Sequence, residues 1–100
     1  MTRKDTVFTQ IKEKRDAEIK RQFNLEWPKV EETVASLENE AEYQFIENGV
    51  INEDLKKIYT PETKLINGVI TLMAEDVRAM GYKVNILIDN SLEIWWQKEE

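Results

Sequence analysis

Cysteine and histidine are both absent from the 100 residues of this chain. Without cysteine, the chain forms no disulfide and offers neither a thiolate nucleophile nor a Cys-based zinc site. Without histidine, it lacks the usual general base at neutral pH and the commonest metal ligand. Catalysis would have to rest on carboxylates, lysine, tyrosine and two serines. We therefore predict a protein that is not an enzyme, with no catalytic residue, cofactor or bound metal.

Glycine and proline are scarce, with three and two residues, while apolar residues make up 41% of the chain. This composition is typical of a folded chain rich in helix. The sequence has no apolar run of the length that spans a bilayer, and its opening residues, Met-Thr-Arg-Lys-Asp, do not resemble a signal peptide. We expect a cytoplasmic protein without membrane association, in the host cytoplasm if a phage encodes it.

Positive charge is concentrated at the start of the chain. Residues 1–22 hold seven Lys/Arg against four Asp/Glu, whereas residues 23–54 hold nine acids and a single base, Lys29. The net charge of the whole chain is −6. Phosphate repels such a molecule, so non-specific binding to nucleic acid is disfavoured.

The apolar spacing and the turn residues predict one domain over residues 1–100, of the α+β class, in which three to four helices precede an antiparallel β-hairpin packed against them. The predicted segments are a charged helix over 1–26, an acidic helix over 28–48, a short helix over 52–59, an apolar helix over 61–80 and the hairpin over 82–97.

Local signals fix the ends of these helices. Thr2 and Asp5 have the spacing of a capping box, Pro28 suits the first turn of a new helix, and Gly49 suits a left-handed position after a last turn. Residues 63–72 allow a second interpretation, because Asn67-Gly68 between β-branched residues is also a hairpin signal.

Alternating apolar residues define the hairpin and its register. A three-residue loop at 89–91 would pair Ile88 with Leu92 and Ile86 with Ile94, which keeps the even-numbered apolar residues on one face. The same register pairs Val84 with Trp96, so Trp96 is predicted to lie in the core. We expect the two larger helices to cover this face.

Trp95 then lies on the opposite face of the hairpin, across from Asn85 and diagonal to Leu87. Tryptophan often carries much of the binding energy of an interface. Either the first helix of the same chain or a partner protein can cover Trp95 on this face. The last strand is also predicted to be an unpaired edge, to which a second copy can add, so we expect a homodimer.

Two charged groups are further candidates. Glu31, Glu38 and Glu42 give the second helix an acidic side that can imitate a nucleic-acid backbone, unless the basic first helix lies antiparallel to it and neutralises it. The basic side chains that can contact phosphate are those of Lys14, Arg15, Lys20 and Arg21. Acids are interleaved with them and no aromatic residue lies among them to stack on bases.

The sequence thus favours a non-enzymatic module that binds another protein. A short, acidic, Glu- and Lys-rich chain without Cys or His has the format of small bacterial and bacteriophage accessory proteins that bind or inhibit a partner. The alternatives are an acidic mimic that blocks a nucleic-acid-binding host protein, and a nucleic-acid binder that uses the basic N-terminal helix. The identity of the partner is not encoded in these patterns.

Overall fold

A computed structural model describes residues 2–96 and has two helices and one sheet in that range. The elements in chain order are helix α1, Arg3–Asn48; strand β1, Lys56–Tyr59; helix α2, Val69–Ala79; strand β2, Lys83–Ile86; and strand β3, Leu92–Trp95. The α+β class is confirmed, but the structure has two helices in this range where three to four were expected. Gln97, where the predicted hairpin ends, lies outside the described residues.

Helix α1 has 46 residues and runs without a break through Pro28. The predicted capping box is present, with the Asp5 amide donating to Thr2 Oγ1 at 3.2 Å and the Thr2 amide donating to Asp5 Oδ2 at 3.3 Å. Gly49 ends the helix in the left-handed conformation, with φ of 72°. The predicted boundary at residues 26–28 is wrong, because contacts with the rest of the chain hold the helix together on both sides of the proline.

The side chains around Pro28 show how the helix is held. Phe23 and Trp27 stack with ring centroids 5.3 Å apart, and Val30 just beyond the proline is fully buried. Glu26 is buried too, and it accepts a hydrogen bond of 2.7 Å from the Tyr59 hydroxyl. Burial alone raises the pKa of the Glu26 carboxyl, but the bonds from Tyr59 and Lys29 outweigh it and hold the pKa below its ordinary value.

The three strands form an antiparallel sheet in the order β1-β3-β2. Strand β1 replaces the predicted helix over 52–59. Leu55 and Tyr59 are buried on one side of it while Ile58 between them is exposed, which is the alternation of a strand. The segment is too short for the spacing of its apolar residues to distinguish a strand from a helical turn. Its pairing with β3 determines that it is a strand. Strand β3 is therefore central, so the proposed addition of a second copy to that strand is excluded.

The register of β2 and β3 differs from the prediction by two residues, since Val84 pairs with Ile94 and Ile86 with Leu92. The loop between the strands is longer than three residues. The Leu87 amide donates to the Ser91 carbonyl at 2.9 Å, and Asn90 adopts a positive φ of 64° inside this turn. Ile86 and Ile88, which were expected in the core, are exposed as a result.

Helix α2 is shorter than the predicted helix over 61–80, and residues 60–68 form neither a helix nor a hairpin. It begins after Gly68, which has a φ of 103°. Both helices pack on the same face of the sheet. The core between them is formed by the residues Val30, Val34, Leu37, Ala41, Leu55, Tyr59, Leu65, Val69, Ile70, Met73, Ala74, Val77, Val84, Leu92 and Ile94.

We expect the Tyr59→Phe substitution to lower the free energy of unfolding by about 1–3 kcal/mol, because it removes a hydrogen bond to a buried carboxylate. Tyr82→Phe is the matched control. It removes a bond of 2.6 Å to Glu38, which is exposed, so its effect should be smaller. Urea denaturation of both variants measures the difference. Equal losses would show that burial of Glu26 does not determine the strength of the Tyr59 bond.

Candidate protein-binding surface

One face of the sheet is not covered by any element of residues 2–96. We call it the outer face. Alternation along the strands separates it from the inner face, where Tyr59, Val84, Leu92 and Ile94 are buried. The outer face consists of the strand side chains of Lys56, Ile58, Lys83, Asn85, Glu93 and Trp95.

Glu93 lies at the centre of the outer face and binds residues of both neighbouring strands. Its Oε1 accepts hydrogen bonds from Trp95 Nε1 at 2.8 Å and from Asn85 Nδ2 at 3.2 Å. Its Oε2 lies 3.3 Å from Lys56 Nζ. The hydrogen bonds from Asn85 and Trp95, with the nearby ammonium, hold the pKa of the Glu93 carboxyl below its usual range. Glu93 therefore joins the three strands on this face.

Trp95 is held in place by these neighbours. Lys56 is its partner across β1, with Nζ 4.7 Å from the centroid of the Trp95 ring system. Lys83 is its partner across β2. The prediction that Asn85 lies opposite Trp95 is wrong, because the shifted register places Asn85 opposite Glu93. The result is a half-buried aromatic residue, fixed by a hydrogen bond and a cation–π contact, between two lysines.

The two tryptophans separate as the sequence indicated, although by a different register. Trp96 does not pair with Val84. Its amide donates to the Leu55 carbonyl at 3.1 Å, and its ring packs against Tyr82 with centroids 5.7 Å apart, at the border of the core. Neither helix covers Trp95. The expected covering by the first helix of the same chain is therefore not found within residues 2–96. Leu87 is half-buried in the turn after β2.

The acidic row of Glu31, Glu38 and Glu42 lies elsewhere. These residues are exposed and follow one side of α1, since their spacings of seven and four residues return to nearly the same direction. Burial and the hydrogen bond to Glu38 raise the pKa of Tyr82 to about 12. Because α1 packs on the inner face of the sheet, the acidic row and the outer face do not form one site.

The four basic candidates do not form one surface either. Lys14, Arg15, Lys20 and Arg21 point in several directions around α1, because each residue turns the helix by about 100°. Arg15 donates to the Asn67 carbonyl at 2.8 Å, and Arg21 binds the Glu18 carboxylate, with Nε 2.9 Å from Oε2. Two of the four are thus engaged by their own chain.

Residues 2–96 contain no group of three or more acidic side chains placed to hold a metal ion. In the same range, no helix has both the length and the apolar character needed to cross a membrane. Every buried side-chain nitrogen or oxygen there has a hydrogen-bond partner.

The sequence indicates Trp95 and Asn85 but not Lys56, Ile58, Lys83 and Glu93. Lys56 and Ile58 lie in a segment that the sequence predicts to be a helix, so their position near Trp95 is not predicted. No local signal separates Glu93 from the other polar positions of the hairpin. The available signal was the alternation of Leu55 and Tyr59 with Ile58, which indicates a strand only when a pairing partner is known.

Comparison with models of known protein families, with curated proteins and with solved structures finds no match for this chain.

We expect Glu93→Gln to lower the free energy of unfolding by about 1 kcal/mol at neutral pH, because it weakens charge-assisted hydrogen bonds. The pKa of Glu93 is lowered in the fold, so this contribution is present above the ordinary carboxyl pKa and is lost as the pH falls below it. The difference between wild type and variant should therefore shrink in acid. Urea denaturation at pH values on both sides of the carboxyl range measures it, with Glu53→Gln as the exposed control. A difference that does not change with pH would contradict this account.

Proposed function

We propose that this protein is a non-enzymatic module that binds another protein through the outer face of its sheet. The observation that carries the proposal is Trp95, an aromatic side chain on a central strand that Glu93 and Lys56 hold in one position, on the face of the sheet that neither α1 nor α2 covers. A residue that is fixed before binding loses little conformational entropy on binding. This is the property expected of an interface anchor.

The chemistry of the outer face indicates the kind of protein surface it fits. Ile58, which is 49% exposed, and Trp95 supply an apolar centre. Lys56 and Lys83 flank it, and the one carboxylate of this face, Glu93, is already engaged by three donors of its own chain. The complementary surface therefore has an apolar side chain at its centre.

The composition of the chain supports a binding role. The chain has no histidine or cysteine, and its buried carboxylate, Glu26, is engaged by Tyr59 and Lys29. These contacts connect α1 to β1 and to its own next turn. They give Glu26 a structural role at the helix–sheet junction.

The test begins with affinity capture of a partner from the cells that encode the chain, followed by calorimetric measurement of the dissociation constant with the purified partner. Trp95→Ala should weaken binding by about tenfold or more, as removal of a central aromatic anchor does. Phe45→Ala is the matched control, because Phe45 is an exposed aromatic residue on α1, away from the sheet. Binding by Trp95→Ala at wild-type strength would overturn the proposal.

A second candidate function is an acidic mimic that occupies a basic groove on a nucleic-acid-binding protein. The observation in its favour is the exposed row of Glu31, Glu38 and Glu42 on one side of α1. The same measurement separates the two. A partner that is lost by the triple Glu→Gln variant of this row and retained by Trp95→Ala would assign binding to α1 instead of the outer face.

A further inference from the structure

The two halves of α1 carry opposite charge and cannot neutralise each other within one chain. Residues 3–22 have a net charge of +3, and residues 28–47 have a net charge of −5. The sequence allowed them to fold back as two antiparallel helices. Because the helix is continuous, their centres are about 38 Å apart along the axis. That distance is several Debye lengths at physiological salt, so the attraction within the chain is screened.

A line of exposed apolar residues follows the same helix. Its members, Val7, Leu25 and Tyr43, follow one another at intervals of eighteen residues, which is five full turns of the helix. They therefore point in one direction, with about 27 Å between neighbours. Their exposed fractions are 40%, 60% and 61%. The buried side of the helix, including Val30 and Leu37, points away from this line. The line is symmetric about Leu25, with an apolar residue at equal distance on either side.

The fold also leaves room along this line. The structure is 66 Å in its longest dimension and 26 and 22 Å in the others, and the 46 residues of α1 span that longest dimension. Residues 3–14 are exposed throughout, so the first three turns of the helix extend beyond Arg15, whose guanidinium binds the Asn67 carbonyl. Those turns present the exposed side chains of Val7, Phe8 and Ile11.

We propose that a second copy of this chain binds along the line, with the two α1 helices antiparallel and the two-fold axis at Leu25. Leu25 then contacts the partner's Leu25, and Val7 contacts the partner's Tyr43 at both ends. Each basic half lies against the partner's acidic half, so the +3 and −5 segments are paired twice. A parallel pair would instead place like charges together.

This interface is independent of the proposed function. The line on α1 faces away from the core, whereas the outer face lies on the far side of the sheet. Trp95→Ala should therefore leave the dimer intact, and loss of the dimer should leave the outer face unchanged. The failure of either proposal can be recognised without the other.

The absence of cysteine from the chain allows a direct test by cross-linking. Val7→Cys and Tyr43→Cys are prepared separately, mixed, and oxidised. An antiparallel pair gives a disulfide-linked dimer only in the mixture, because each cysteine faces the other position of the partner. The control replaces Tyr43→Cys by Phe45→Cys, which points to a different side of the helix and should not cross-link with Val7→Cys.

Mass in solution completes the test. Wild type should be a dimer at micromolar concentrations, and Leu25→Glu should be a monomer. At concentrations low enough for wild type to be a monomer as well, the two proteins should unfold at the same urea concentration. Leu72→Glu, at an exposed leucine of α2, should remain a dimer. Wild type that is monomeric throughout would overturn the proposal. So would cross-linking of Val7→Cys alone, which requires a parallel pair, or a mixture that gives no cross-link.

Discussion

The continuity of α1 through Pro28 is the constraint on which the rest of the structure depends. A proline inside a helix removes one main-chain hydrogen bond and crowds the preceding turn, at a cost of about 3 kcal/mol or more. Buried contacts on both sides of the proline offset that cost. Glu26 is bound to Tyr59 of β1 before it, and Val30 is fully buried after it. Since neither contact exists without the sheet, the helix is continuous because of the tertiary fold and not because of its local sequence.

The same constraint determines which surface the sheet leaves open. One long helix and α2 together cover the inner face, and the chain between residues 2 and 96 has no third helix for the other side. Within residues 2–96 no helix covers the outer face, and its own side chains make it compatible with water. Glu93 does this by accepting bonds from Trp95 and Asn85 and by pairing with Lys56, which fixes the aromatic residue instead of burying it.

Sequence reasoning was most accurate where structure is local. The capping box at Thr2, the left-handed Gly49 and the two strands after α2 each depend on residues close together in the chain, and all are found. It failed where distant contacts decide. The break at Pro28 and the helix over 52–59 were reasonable local choices that pairing with the sheet overrides. The register was wrong by two residues because Asn90, at positive φ, supports a longer turn than the apolar pattern alone requires.

The two surfaces have a geometric relation that gives the antiparallel dimer a functional meaning. The apolar line lies on the side of α1 that faces away from the core, and the outer face lies across the sheet from that helix. In such a dimer the paired helices form the centre, and the two outer faces point away from it, each with its own Trp95. Binding at one outer face does not block the other. Because the two outer faces point in opposite directions, such a dimer would bind two partner molecules and link them, and a single partner would gain no avidity from the second face.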